Sequence, residues 1–177
     1  KINKMFTARH GQSYCEENLR WIINNEKGVS CDSRVDIQKT FSFLLKEVPP
    51  ESMVFFVSDF ENHFFEGDFT TEMRPAVEKF DLIPVMIRDP LLKKGGLTKP
   101  VTIAVRDTEG DKRAKEIFLT PQKLKKMQEI SHMHLLHIRK NCRKLGIDPV
   151  VVDTHSMNRC YKIFTDFFRT RQFARRH

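Results

Sequence analysis

The chain has 177 residues, of which 40% are hydrophobic and 31% charged, and its 31 Lys and Arg against 23 Asp and Glu give a formal net charge of +8. Its 7 Gly, 8 Pro and 4 Cys exclude collagen-like, low-complexity and disulfide-rich proteins. We expect one globular domain over residues 1–177 in the cytoplasm, with its cysteines reduced, because the sequence carries neither a membrane-span length of apolar residues nor a secretion signal.

The first two predicted elements are amphipathic helices. Ser13 and Glu16 have the spacing of a capping box ahead of an apolar helical stripe. A second helix is predicted to begin after Asp32 and Ser33 and to end at Pro49. Its apolar stripe comprises Ile37, Phe41, Leu44, Leu45 and Val48.

Two strands are predicted next. Met53–Val57 is a short run of apolar residues without alternation, which indicates a central strand of a parallel sheet, buried on both faces. A short helix capped by Thr70 or Thr71 leads to the second strand, Leu82–Ile87. Pro84 leaves the position of that strand in the sheet open, because proline cannot donate a ladder hydrogen bond and is usually confined to edges, strand starts or bulges.

The second half of the chain predicts a hairpin and a long helix. Val101–Val105 and Glu116–Leu119 flank turn residues, so we expect a β-hairpin insertion over residues 100–120. Thr120 as the N-cap and Gly146 as the terminator bound the long helix. Ser131 is the one polar member of its apolar stripe.

A third strand at Val150–Val152 and a terminal amphipathic helix complete the predicted elements. The apolar side of that helix comprises Tyr161, Ile163, Phe164, Phe167 and Phe168. Alternating helices and strands predict an α/β fold with an open, mainly parallel sheet in which the three strands are neighbours.

Ligands of open α/β sheets gather outside the carboxyl ends of the strands. Acidic residues there have two readings. They could form a Mg²⁺ site, or Asp59 could cap the following turn while Asp89 pairs with Arg88. The candidate site residues, termed here the acidic rim, are Ser58, Asp59, Phe60, Glu61, Arg88 and Asp89.

The ordered set of Asp36-Ile37, Val54-Phe55-Phe56-Val57-Ser58-Asp59-Phe60, Arg88-Asp89-Pro90 and Arg106-Asp107-Thr108-Glu109-Gly110 resembles the bacterial von Willebrand factor A-like family catalogued as domain of unknown function fifty-eight. The resemblance covers residues from about Gly28 onward. It implies a Rossmann-like sheet whose amino-terminal strands are missing from this chain.

The same resemblance places Asp59 at one ligand position of a metal-ion-dependent adhesion site. Val35 stands where the family has a threonine, and the D-x-S-x-S loop of that site is missing. We therefore expect no functional cofactor, and at most weak binding of Mg²⁺ through Asp59. The family association implies a MoxR-type AAA+ ATPase as the partner.

The leading hypothesis is a non-enzymatic protein–protein interaction module that uses the acidic rim. One alternative is a Mg²⁺-dependent phosphoesterase or nuclease built on Asp59, Glu61 and Asp89. Another is nonspecific nucleic-acid binding through the basic segments 93–126 and 159–177.

Two further features leave alternatives open. Without its amino-terminal neighbour, strand 53–57 would pair with another chain, with a second copy to form a homodimer, or be covered by residues 1–25. His132, His134 and His137 suggest a metal site or a helix face, and on a helix His132 points away from His134.

Overall fold

The computed structural model describes residues 12–25, 36–92, 97, 99–105 and 115–174. Contacts divide the chain into two compact units, Lys1–Arg34 with Arg106–Lys115, and Val35–Val105 with Glu116–His177. In the first unit, the helix α1 spans Gln12–Asn25, as predicted. Ser13 is its second residue, so the predicted capping position of Ser13 is wrong.

The second unit contains the elements that position the site. Its helices are α2 (Ile37–Glu47), α3 (Thr70–Lys79), α4 (Pro121–Lys144) and α5 (Met157–Ala174), with short 3₁₀ turns at His63–Phe65 and Pro90–Leu92. The strands are β1 (Met53–Ser58), β2 (Asp81–Ile87), β3 (Val101–Val105), β4 (Lys115–Leu119) and β5 (Val150–Val152), and Lys115 is the one strand residue assigned to the first unit. The predicted α/β class is confirmed, and β3 and β4 form a separate two-stranded sheet. The turn of the predicted hairpin lies outside the described residues.

The helix termini follow local hydrogen bonding. Thr120 caps α4 as predicted, because its Oγ1 accepts a hydrogen bond from the Lys123 N–H at 3.2 Å. Gly146 has a φ of +72°, the left-handed conformation that terminates helices readily at glycine. The cap predicted for α3 is wrong, because the N-cap residue is Phe69, which makes no side-chain capping hydrogen bond. Asp68 Oδ1, one residue earlier, accepts a hydrogen bond from the Thr70 N–H at 3.1 Å.

The helix α2 begins at Ile37. Asp36 is the N-cap, since its Oδ1 accepts a hydrogen bond from the Lys39 N–H at 3.0 Å. Asp32 and Ser33 lie outside the described residues. Of the predicted stripe, Ile37 and Phe41 are buried against the core.

The main sheet has the strand order β1-β2-β5, all parallel, so the three predicted strands are neighbours. However, β1 is an edge strand in the described part of the chain, and the predicted central position is wrong. Met53, Phe55 and Val57 are 51%, 45% and 61% exposed on one face. The reason is that β1 pairs with β2 alone in that part of the chain.

The central strand is β2, which contains Pro84. Residues 82–86 are all buried. Pro84 lies opposite Phe56 of β1, whereas β5 begins opposite Val85. Proline is tolerated here because it precedes the part of β2 that is paired on both sides.

The two faces of the sheet carry different helices. Residues of α2, α3 and α4 pack with Leu82 and Met86 in the larger core. On the opposite face α5 packs on Ile83, Val85, Val150 and Val152. Tyr161, predicted to face inward, is 76% exposed. No helix among the described residues has the length and apolar character needed to cross a bilayer.

Candidate functional site: the acidic rim

The loop after β1 is organised by its own side chains. Ser58 Oγ accepts a hydrogen bond from the Phe60 N–H at 3.0 Å, and Asp59 Oδ1 accepts from the Glu61 N–H, also at 3.0 Å. Asp59 and Glu61 are exposed. The capping reading of Asp59 is therefore confirmed, and the loop fixes where its carboxylate stands.

Phe60 anchors this loop in the core. It is 0% exposed, and its ring centroid lies 4.7 Å from that of Phe65 and 5.6 Å from that of Phe56. Its φ is +63°, a left-handed conformation that costs an L-residue about 1–2 kcal/mol. Ring burial holds the residue in this conformation, which turns the chain so that Asp59 and Glu61 face solvent.

The loop after β2 is built in a similar way. Asp89 is exposed, and its Oδ1 accepts a hydrogen bond from the Leu91 N–H at 2.8 Å. Its predicted pairing with Arg88 is wrong, because Arg88 donates from Nη2 to Ser131 Oγ at 2.7 Å. The Leu91 carbonyl in turn accepts from Gln128 at 3.2 Å. The β2 loop is thus held by α4.

Strand pairing brings the two loops together. Ser58 lies opposite Met86 in the parallel pair, so both loops leave the sheet at the carboxyl ends of its strands. The Arg88 N–H donates to the Val152 carbonyl at 2.8 Å, which ties the β2 loop to β5. Asp59, Glu61 and Asp89 thus expose carboxylates at the carboxyl ends of neighbouring strands, where Phe60 is buried and Arg88 half-buried.

The rim carboxylates and the histidines of α4 are the candidate metal ligands. No group of three His, Cys, Asp or Glu in the described ranges is placed to hold a metal ion. The histidines of α4 serve different contacts: His132 is exposed, and His137 Nε2 lies 3.0 Å from the Gly67 carbonyl oxygen. His134 Nε2 is buried and has no hydrogen-bond partner among the described residues.

Sequence reasoning missed the contacts that join α4 to the loops. One of these contacts is the hydrogen bond from Arg88 to Ser131. The other joins His137 and Asn141 to the Gly67 carbonyl, at 3.0 Å and 3.4 Å. The single available signal was Ser131, a polar residue in an otherwise apolar stripe, which signals a buried partner but does not name it.

Asp68 fixes the segment before α3. Its Oδ2 is 2.6 Å from Lys144 Nζ, and its Oδ1 accepts from the Thr70 hydroxyl at 2.6 Å. The hydrogen bond from Lys144, then those from Thr70, hold the pKa of the Asp68 carboxyl well below its usual range. The pair is half-exposed, so salt screens it.

Cys142 and Cys160 are free thiols. Cys142 is fully buried in the larger core. Burial, with a smaller contribution from Asp148, raises the pKa of the Cys142 thiol to about 12. Cys142 is therefore a packing residue, since nucleophilic cysteines need an accessible thiolate.

Comparison of the chain with protein-family models, with curated proteins and with solved structures finds no match.

Proposed function

We propose that this chain is a non-enzymatic protein–protein interaction module whose contact surface is the acidic rim. The observation that carries the proposal is the matched pair of aspartates at neighbouring strand ends. Asp59 and Asp89 are exposed, and each has its Oδ1 held by a backbone N–H, at 3.0 Å and 2.8 Å. Carboxylates that are fixed before binding lose little conformational freedom when a basic surface meets them.

The same hydrogen bonds favour recognition over hydrolysis. A two-metal phosphoesterase needs carboxylates that converge on ions about 4 Å apart. Asp59 Oδ1 and Asp89 Oδ1 instead accept hydrogen bonds from the loop residues that follow them. Their arrangement suits a surface that a partner covers.

The partner class follows from the sequence resemblance to the von Willebrand factor A-like family. We propose a MoxR-type AAA+ ATPase in the cytoplasm, bound through basic residues that contact the acidic rim. The mainly parallel α/β sheet is compatible with this class of domain.

The proposal is tested by titrating the immobilised chain with a purified bacterial MoxR-type ATPase. The double variant Asp59→Asn, Asp89→Asn removes two rim charges and keeps the acceptor oxygens that hold the loops. We expect its affinity to fall by about tenfold or more. The control Glu72→Gln, Glu78→Gln makes the same charge change on exposed positions of α3 and leaves affinity unchanged.

Equal binding by both double variants would contradict the rim as the contact surface. A parallel assay with Mg²⁺ and a chromogenic phosphodiester covers the enzyme alternative. Hydrolysis that disappears in Asp59→Asn would replace the proposal with the phosphoesterase. Binding of DNA that falls steeply with salt in the wild-type chain would support the nucleic-acid alternative.

A further inference from the structure

The edge of β1 that faces away from β2, called here the open edge, has unpaired backbone groups and exposed apolar side chains in the described part of the chain. In the described part of the chain β1 hydrogen-bonds to β2 alone, so one row of its backbone groups has no strand partner. Beside that row, Met53, Phe55 and Val57 expose 51%, 45% and 61% of their surface on one face. An edge that is both unpaired and apolar on one face is suited to accept another strand.

The helix α5 continues this apolar surface. Phe164 and Phe168 contact the ring of Phe55 edge-on, with centroids 6.5 Å and 6.3 Å apart. Tyr161, 76% exposed, lies on the same flank of α5, three residues before Phe164. Side chains of an added strand would therefore meet apolar groups from both β1 and α5.

Charge distinguishes between the candidate occupants. Within the +8 chain, residues 47–72 contain neither lysine nor arginine. Acidic residues bracket β1, with Glu51 before it and Asp59 and Glu61 after it, and all three are exposed. The strand itself carries no charge.

A second copy fits this edge poorly. Two β1 strands related by a two-fold axis pair antiparallel. Centred on Phe55, such a pair would set Glu51 of each copy against Asp59 of the other. Like charges directly opposite each other destabilise a strand pair, and here the repulsion occurs at both ends.

We propose that the open edge of β1 binds an extended strand of a partner protein, apolar at alternate positions and basic at both ends. Apolar side chains of that strand cover Met53 and Val57. Its basic ends meet Glu51 on one side and Asp59 with Glu61 on the other. The inference deepens the proposed function, on which it rests for the existence of a protein partner, by naming the binding element.

The experiment uses a fluorescent peptide of alternating valine and threonine with two lysines at each end. Fluorescence anisotropy measures its binding to the full chain, and a second peptide with glutamates at the ends is the charge control. We expect the lysine peptide to bind at least about tenfold more tightly at low salt, with the difference shrinking as salt rises. Equal binding of the two peptides, or no binding of the lysine peptide, would overturn the inference.

Variants locate the binding. Val57→Lys places a cation on the exposed face of β1, and Ile130→Lys makes the same change on α4 at a residue of equal exposure, 62% against 61%. We expect Val57→Lys to lower the affinity for the lysine peptide by about tenfold or more, and Ile130→Lys to leave that affinity unchanged. Met53→Lys serves as the second edge variant if Val57→Lys does not fold. Equal loss in the edge and control variants would contradict binding at β1.

Further results distinguish a partner strand at β1 from a second copy there and from binding through the acidic rim alone. Light scattering that shows a dimer of the wild-type chain, dissociated by Val57→Lys, would assign the edge to a second copy and overturn the basic partner strand. ATPase binding that depends on Asp59 and Asp89 but not on Val57, without peptide binding, would overturn the strand site and leave the proposed function standing. Peptide binding without ATPase binding would overturn the proposed ATPase partner and leave the strand site standing.

Discussion

Arg88 at the carboxyl end of β2 donates a hydrogen bond from Nη2 to the hydroxyl of Ser131 in the middle of α4, with the two atoms 2.7 Å apart. Arg88 also pairs through its backbone with Val152 of β5. Its Nε is buried and has no hydrogen-bond partner in the part of the chain that the structure describes. Ser131 is therefore the one described side-chain partner of a half-buried cation, and it joins the rim to the helix beneath it.

Ser131→Ala removes this acceptor and leaves the guanidinium poorly satisfied. We expect the free energy of unfolding to fall by about 1–3 kcal/mol, the usual cost of removing a hydrogen bond to a charged group. Urea denaturation measures it. In the background of Arg88→Met the same substitution should cost much less, and an equal cost in both backgrounds would show that the two side chains do not interact.

Phe60 offers a test of the strained loop. Phe60→Ala should lower the free energy of unfolding by about 3–5 kcal/mol, because the buried ring is lost. Phe60→Gly should be less damaging. The left-handed conformation costs alanine about 1–2 kcal/mol, which exceeds the extra backbone entropy of glycine of about 0.5–1 kcal/mol.

Both Phe60 variants are measured by urea denaturation in the same buffer. At ordinary positions alanine is the more stable of the two, so the predicted order is a reversal. A higher stability of Phe60→Ala than of Phe60→Gly would contradict the left-handed conformation of this residue.

Asp68 makes stability depend on acid. Because the pKa of its carboxyl is lowered in the folded state from the usual 3.8, its stabilising contribution is present above 3.8 and is lost as pH falls through the folded pKa. Asp68→Asn keeps an acceptor for Thr70 and removes the charge that binds Lys144. We expect wild type to be the more stable near neutral pH.

The difference should shrink below about pH 4 and in high salt, and thermal unfolding at a series of pH values measures it. Asp36→Asn, at an exposed aspartate that also binds a lysine, should show the same direction of pH dependence, because hydrogen bonds from Lys39 lower the pKa of the Asp36 carboxyl as well. A stability difference between wild type and Asp68→Asn that grows as pH falls would contradict the contact between Asp68 and Lys144.

Cys142 should resist alkylation in the folded chain. Burial raises the pKa of its thiol to about 12, so the thiolate is scarce near neutral pH and the sulfur is inaccessible. Mass spectrometry after iodoacetamide treatment should find Cys142 modified only in denaturant, with the half-buried Cys160 as the internal comparison. Equal rates for Cys142 with and without denaturant would show that it is not in the core.

Local signals predicted the elements well and their surroundings poorly. Helical spacing, the Thr120 cap and Gly146 located α4, because these signals depend on neighbours within one or two turns. The apolar run of β1 suggested a central strand, but lateral position depends on which strand lies beside it. Pro84 left the position of β2 open, and β2 is central because β5 pairs with it from Val85 onward.

The candidate site shows the same division. Asp59 could be recognised as a turn cap, since its partner Glu61 is two residues away. Arg88 with Ser131, and His137 with Gly67, join residues 43 and 70 positions apart, and no local pattern encodes them. Such contacts are set by how α4 packs against the loops.

Asp59 and Asp89 lie at the same end of the sheet because β1 and β2 are parallel and in the observed register. Interstrand nuclear Overhauser effects in the isotope-labelled chain test it most directly. We expect cross-peaks between the backbones of Phe55 and Ile83 and of Val57 and Val85, with intensities typical of a parallel pair. Cross-peaks that run in the antiparallel direction, or helical contacts within residues 53–58, would contradict the sheet and the rim that it forms.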